Sequence, residues 1–174
     1  MHAIRKGLDA LYTAAGVLAA LCLIAILLLI VAQMLARWTG AIFPGAPAYV
    51  GYFMAAASFF AFASALARGS HIRVSILLNA VRPGLRRILD AWCFAVAAVI
   101  VWYFVVEAWE FVGWSYKFQE VSQSQDKTLL WIPQSVMIAG GGLLGVALID
   151  NLLHVLFAGE SRVTRDLVDQ SHGE

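Results

Sequence analysis

Four long apolar runs, separated by short polar stretches, dominate the chain. The first, 10–36, carries no charged residue and includes Leu21–Cys22–Leu23–Ile24–Ala25–Ile26–Leu27–Leu28–Leu29–Ile30–Val31. A bilayer core about 30 Å thick is crossed by about 20 apolar residues in a helix. Further runs at about 48–67, 88–116 and 129–154 meet that length. Arg5 and Lys6 ahead of the first run also suit a signal peptide, whose apolar region should be only about 7–15 residues. The run is far longer, so it is read as a retained helix. The Gly/Pro-rich stretch from Gly40 to Pro47 punctuates the first two spans. Counted from Arg86 to Lys117, the third helix would be about 48 Å long at 1.5 Å per residue. A helix of that length must tilt or project from the bilayer.

A different period appears between the second and third runs. Val74, Leu77, Leu78 and Val81 recur at helical spacing, while Ser75, Asn79, Arg82 and Arg86 fall on the other side. This predicts a short amphipathic helix at about 71–82, too short to span, lying in the membrane interface and ended or re-aimed by Pro83. The expected fold class is therefore an all-α membrane protein. It is a single four-helix transmembrane domain over 1–174, with an interfacial helix between the second and third spans and a polar tail at 159–174.

Composition supports lipid as the solvent. Hydrophobic residues make up 61% of the 174 and charged residues 13%, against about 45–50% and about 25% in soluble domains. The net charge of +1 says little, but its distribution says more. With both termini in the cytoplasm, Arg5, Lys6, Arg68, Arg73, Arg82, Arg86, Arg87, Arg162 and Arg165 fall inside. Only Arg37, Lys117 and Lys127 fall outside, the asymmetry that the positive-inside rule requires. Trp38, Trp109, Trp114 and Trp131 then gather towards the outer interface and Trp92 towards the inner one.

Candidate chemistry is sparse. Ionisable residues inside a span mark function because they are costly there, and none is expected near the middle of any span. Ser58, near mid-depth of the second helix, can bond back to its own helix. Glu107 and Glu110 are read as solvated charges at the outer rim of the third helix. A haem needs histidines facing each other at matched depth; His71 and His154 share the cytoplasmic side, and His2 and His172 lie in the tails. There is no P-loop, HExxH, GxSxG or CxxC, so no catalytic, cofactor or metal site is assigned and no enzyme activity is expected. Cys22 and Cys93 lie in apolar runs and are read as small buried side chains. Packing is expected from small residues: Gly141 and Gly145 in a GxxxG spacing, Ala57, Ala61 and Ala65 on the second helix, and Gly16 and Ala20 on the first.

Two local motifs add to this layout. Gly69, His71, Ile72, Arg73 and Val74 follow the second span, with Leu77 and Leu78 after them, and Trp131–Ile132–Pro133 enters the fourth. Together with four spans in a chain of this length, they make it resemble the small permease subunit of TRAP transporters, the DctQ-like family. That family's first signature reads approximately G-x-H-I-R-V-D-L-L, with the two leucines here shifted by one and Ser75 standing where aspartate is common. The acidic residue that often precedes the family's second helix has no counterpart in Ala46–Pro47–Ala48–Tyr49.

The resemblance implies a subunit of the bacterial inner membrane that braces a large permease subunit as a heterodimer. In the family that large subunit moves elevator-fashion and takes up an organic acid (a dicarboxylate, keto acid or sialic acid) on a sodium gradient. A periplasmic solute-binding protein would deliver the substrate, and no nucleic-acid partner is implied. Gly69, His71, Arg73, Arg82, Trp131, Pro133, Gly141 and Gly145 are the candidate contacts to partner or lipid. The alternative is a membrane-anchor subunit of an electron-transfer complex.

Overall fold

A helix satisfies its own backbone hydrogen bonds, which in lipid have no water to turn to, and the described residues use little else. The computed structural model describes residues 2–40, 44–67 and 83–158. They form α1 (His2–Trp38), α2 (Ala46–Ala67), α3 (Pro83–Lys117) and α4 (Trp131–Ala158). All four are long and apolar enough to cross a membrane. The expected interfacial helix at 71–82, with Gly69, His71, Arg73 and Arg82, lies outside the described residues, as does the tail at 159–174.

The helix ends follow from local chemistry. Pro47, Pro83 and Pro133 sit in the first turns of α2, α3 and α4, where a missing N–H costs nothing and a fixed φ favours the helix. α1 closes on Gly40 at φ 76°, with the Thr39 hydroxyl returning to the Leu35 and Ala36 carbonyls. α3 closes on Gln119 at φ 51°. There the Glu120 amide donates to the Ser115 carbonyl and the Gln119 amide to that of Tyr116, the paired bonds of a left-handed helix cap.

The main contacts run α1 to α2, α2 to α4 and α4 to α3, so α2 and α4 form the middle and α1 and α3 flank them. A cluster of Tyr12, Ala63, Leu66, Phe94, Ala147, Leu148 and Val155 joins all four helices near the end where α1 and α3 begin. On α1 the buried seam is Tyr12, Ala15, Ala19 and Cys22, one residue out of phase with the expected Gly16 and Ala20. Ala20 is exposed. Cys93 is likewise exposed rather than buried, while Cys22 is buried as expected. Ser58 bonds back to the Met54 carbonyl at 2.9 Å.

The tightest interhelical approach is at Gly140. A Cβ built there would lie 2.6 Å from the Phe59 Cβ and 2.8 Å from the Phe59 carbonyl carbon, so only glycine lets α2 and α4 come this close. The Phe59 ring then stacks on Phe104 of α3 at 5.7 Å between centroids, tying three helices at one level. Gly141 and Gly145, the GxxxG pair, face α3 instead, near Val105 and Phe104 and near Val101 and Trp102. Gly142 faces open space.

Candidate functional site

Among the described residues, three groups of polar side chains are each positioned by a different device. At the end where α3 begins, the Arg87 guanidinium donates to the Val155 carbonyl at 3.1 Å and to that of Leu156. These are among the last carbonyls of α4, which lack helical partners and carry the negative end of the helix dipole. Asp90, one turn further along α3, is buried, as is Asn151 on α4. The Asn151 amide nitrogen donates to the Ala147 carbonyl at 2.8 Å. Asp150 and His154 lie nearby on α4, both half-buried. The cluster cements α3 to α4 through charge and backbone; along the sequence, Arg87 stands out only as an inside charge and His154 only as a histidine on the same side.

At the opposite end, residues 118–130 connect α3 to α4 and fold back on themselves through an isolated antiparallel bridge between Val121 and Leu129. The Ser122 amide donates to the Thr128 carbonyl at 2.8 Å, and the Leu130 amide to that of Glu120 at 2.9 Å. Lys127 takes φ 47° at the tip. This fold aims Asp126 at the start of α2, where the Tyr52 hydroxyl donates to its carboxylate at 3.1 Å. Hydrogen bonds from Thr128, and then from Ser122 and Tyr52, hold the Asp126 carboxyl below the usual aspartate range. Gly45, at φ 82°, packs directly beneath it, and a Cβ there would stand 3.0 Å from the Asp126 Cβ. The loop thus straps the α3–α4 pair to the α1–α2 pair.

The third place is the free face of α3. Tyr103 is 66% exposed, and Glu107 follows one turn on along the same face of the helix. Glu107 and Glu110 are both exposed. They do not end the helix, because α3 continues past them to Lys117. Tyr116 meets Trp131 edge-on at 5.5 Å, and Val105 meets Gly141. Glu107 therefore lies beside the apolar body of α4, more than two turns short of the Tyr116–Trp131 level.

Of the sequence-predicted contacts, Gly69, His71, Arg73 and Arg82 lie outside the described residues, and the other four do not converge on one site. Trp131 and Pro133, both half-buried, open α4 at the strap end, while the buried Gly141 and Gly145 are spent on α3 within the chain. Gly140, Phe59, Asp90, Asp126 and Tyr103 carry no assigned role in the sequence pattern, and Arg87 enters there only as one of the inside charges. For Tyr103 the signal was available, as a phenol and a carboxylate four residues apart share a helix face. Among the described residues no three His, Cys, Asp or Glu side chains gather in a way that could hold a metal ion. The three clusters position helices and present a surface; none supplies a paired nucleophile and base.

The family model described as the DctQ component of tripartite ATP-independent periplasmic transporters matches residues 26–158, from within α1 to the last turn of α4. No curated protein matches the chain.

Proposed function

Since the chain belongs to the DctQ family, the small permease component of tripartite ATP-independent periplasmic transporters, we propose that it braces the large permease subunit during sodium-driven uptake of an organic acid. The observation that carries this role is the disposition of the bundle. Its middle helices are locked by Gly140 against Phe59, while both flanking helices turn long rows of large apolar side chains outward. A plate of this kind is suited to lie in lipid beside a larger subunit and enlarge its fixed part.

The placement of Lys and Arg supports cytoplasmic termini, and the family supports the bacterial inner membrane as the site. A periplasmic solute-binding protein would deliver substrate at the strap end, beside Asp126 and Trp131. Gly69, His71, Arg73 and Arg82 would contact partner or lipid on the cytoplasmic side.

Reconstitution tests the role. Liposomes holding this chain, the large subunit and the binding protein should take up substrate on a sodium gradient, and omitting this chain should abolish or sharply reduce uptake. Uptake by this chain alone would overturn the brace.

A further inference from the structure

The outward stripe of α3 differs from an ordinary lipid-facing surface. Trp92, Val99, Tyr103, Glu107, Glu110 and Trp114 follow one another at three-, four- and seven-residue steps along one side of the helix, and all are exposed. Of the four candidate spans, that of α3 has the smallest share buried within the chain, 11% against 33% for α4.

Depth makes the carboxylate unusual. At 1.5 Å per residue, Glu107 lies about 13 Å along the axis from Tyr116, which packs on Trp131 at the entrance to α4. Helical side chains lean towards the N-terminus, so the Glu107 carboxyl leans deeper still, towards Tyr103. A hydrocarbon core about 30 Å thick puts this group well inside the apolar layer. An ionisable side chain facing lipid there is costly and ordinarily pairs with another group. The exposed Tyr103 phenol one turn away on the same face is a polar neighbour along the stripe, and a carboxylate accepts several hydrogen bonds.

We propose that this stripe of α3 docks a transmembrane helix of the large permease subunit, which presents a cationic side chain to the Glu107 carboxylate beside the Tyr103 hydroxyl. The docking face rests on the brace role above and adds to it a surface and a chemistry. Charge complementarity selects the occupant: lipid tails offer the carboxylate nothing, whereas a guanidinium or ammonium at matched depth fills its remaining acceptor sites and neutralises it. The exposed indoles and the phenol flanking the acid supply broad, rigid contact area of the kind enriched at protein interfaces.

The experiment uses the full chain with its large subunit in lipid nanodiscs, reading the strength of association. Glu107→Gln keeps the shape and removes the charge, and it should weaken association at least about tenfold, as losing one member of a buried charge pair does. Tyr103→Phe should weaken it less. A photo-crosslinking amino acid in place of Val99 should capture the large subunit, whereas the same group in place of Leu28 on α1 should not; this readout leaves the charge untouched.

If Glu107→Gln associates as the native chain does, the carboxyl is a protonated group facing lipid and the docking face is overturned. Capture from position 28 instead of 99 overturns it equally. Failure of the native chain to associate at all would sink the brace role together with the docking face. Intact native association with an unaffected Glu107→Gln variant would sink the docking face alone.

Discussion

α1 and α3 hold equivalent places at the two flanks of the bundle, yet their free faces are built differently. α1 turns outward Leu21, Leu23, Ile24, Leu27, Leu28 and Val31, all aliphatic, within a stretch that carries no charge. α3 turns outward Trp92, Trp102, Tyr103, Trp109 and Trp114, with Glu107 and Glu110 among them. Exposed apolar area alone does not separate a lipid face from a protein face, because lipid tails are as apolar as leucine. The polar groups separate them. An aliphatic face needs only hydrocarbon against it, whereas a carboxylate and a row of aromatic rings call for a partner.

The contrast presumes a bundle stiff enough to hold the two faces in fixed positions, so the largest expected effect breaks that stiffness. Gly140→Ala drives a Cβ into the Phe59 backbone and should cost about 1–3 kcal/mol, as overpacking does. A clear fall in Tm in detergent reads it. Gly142→Ala adds a methyl to open space on the same helix and should leave Tm unchanged or raise it, since alanine is the better helix former. Equal falls for the two variants would show that the α2–α4 approach is not the lock.

Next in size is Arg87→Gln, which loosens α3 from α4 at the end opposite the strap. The Val155 and Leu156 carbonyls lose a charged donor, which should cost about 1–3 kcal/mol, and hydrogen exchange should rise in the last turn of α4. An unchanged exchange pattern would mean that α3 is held by its apolar contacts alone.

The strap gives a smaller, pH-dependent effect. The folded pKa of Asp126 lies below its unfolded value. Its stabilisation is therefore complete above the ordinary aspartate pKa of about 3.9 and is lost as pH falls through the depressed folded value. The fall in Tm of the native chain below about pH 4 should be shallower in Asp126→Asn. Parallel curves for the two proteins would remove Asp126 from the acid response.

The smallest effect is expected on the α1 face. Leu28→Ala removes a side chain 63% exposed and should change Tm by no more than surface substitutions do, about 0.5 kcal/mol, with assembly unaltered. A loss of complex formation would erase the distinction between the two flanks.

Most of the architecture was legible along the chain, and the misses are specific. Length and hydropathy placed four helices, and Pro47 and Pro133 fell near the starts of α2 and α4, whereas Pro83, expected to end or re-aim an interfacial helix, opens α3. The α1 seam was misread by one residue because α1 is apolar on every side, so its periodicity cannot say whether Ala15 and Ala19 or Gly16 and Ala20 face inward. The GxxxG spacing drew attention to Gly141 and Gly145, yet in the run Gly140–Gly141–Gly142 neighbouring residues point about 100° apart around the helix. Which of them meets Phe59 depends on how α4 is rotated. Asp126 met Tyr52 across 74 residues, a pairing that no local pattern encodes.

The sequence by itself determined that this chain forms four membrane-crossing helices, because in lipid each helix must close its own backbone hydrogen bonds and can do so from local residues alone. Tertiary structure decided the rotation and the relative depth of those helices. These are set by side chains meeting across helices: Gly140 against Phe59, Tyr116 against Trp131, Arg87 against the end of α4. That register sets Glu107 beside the body of α4 rather than beside its first turn, and so gives α3 a face unlike that of α1.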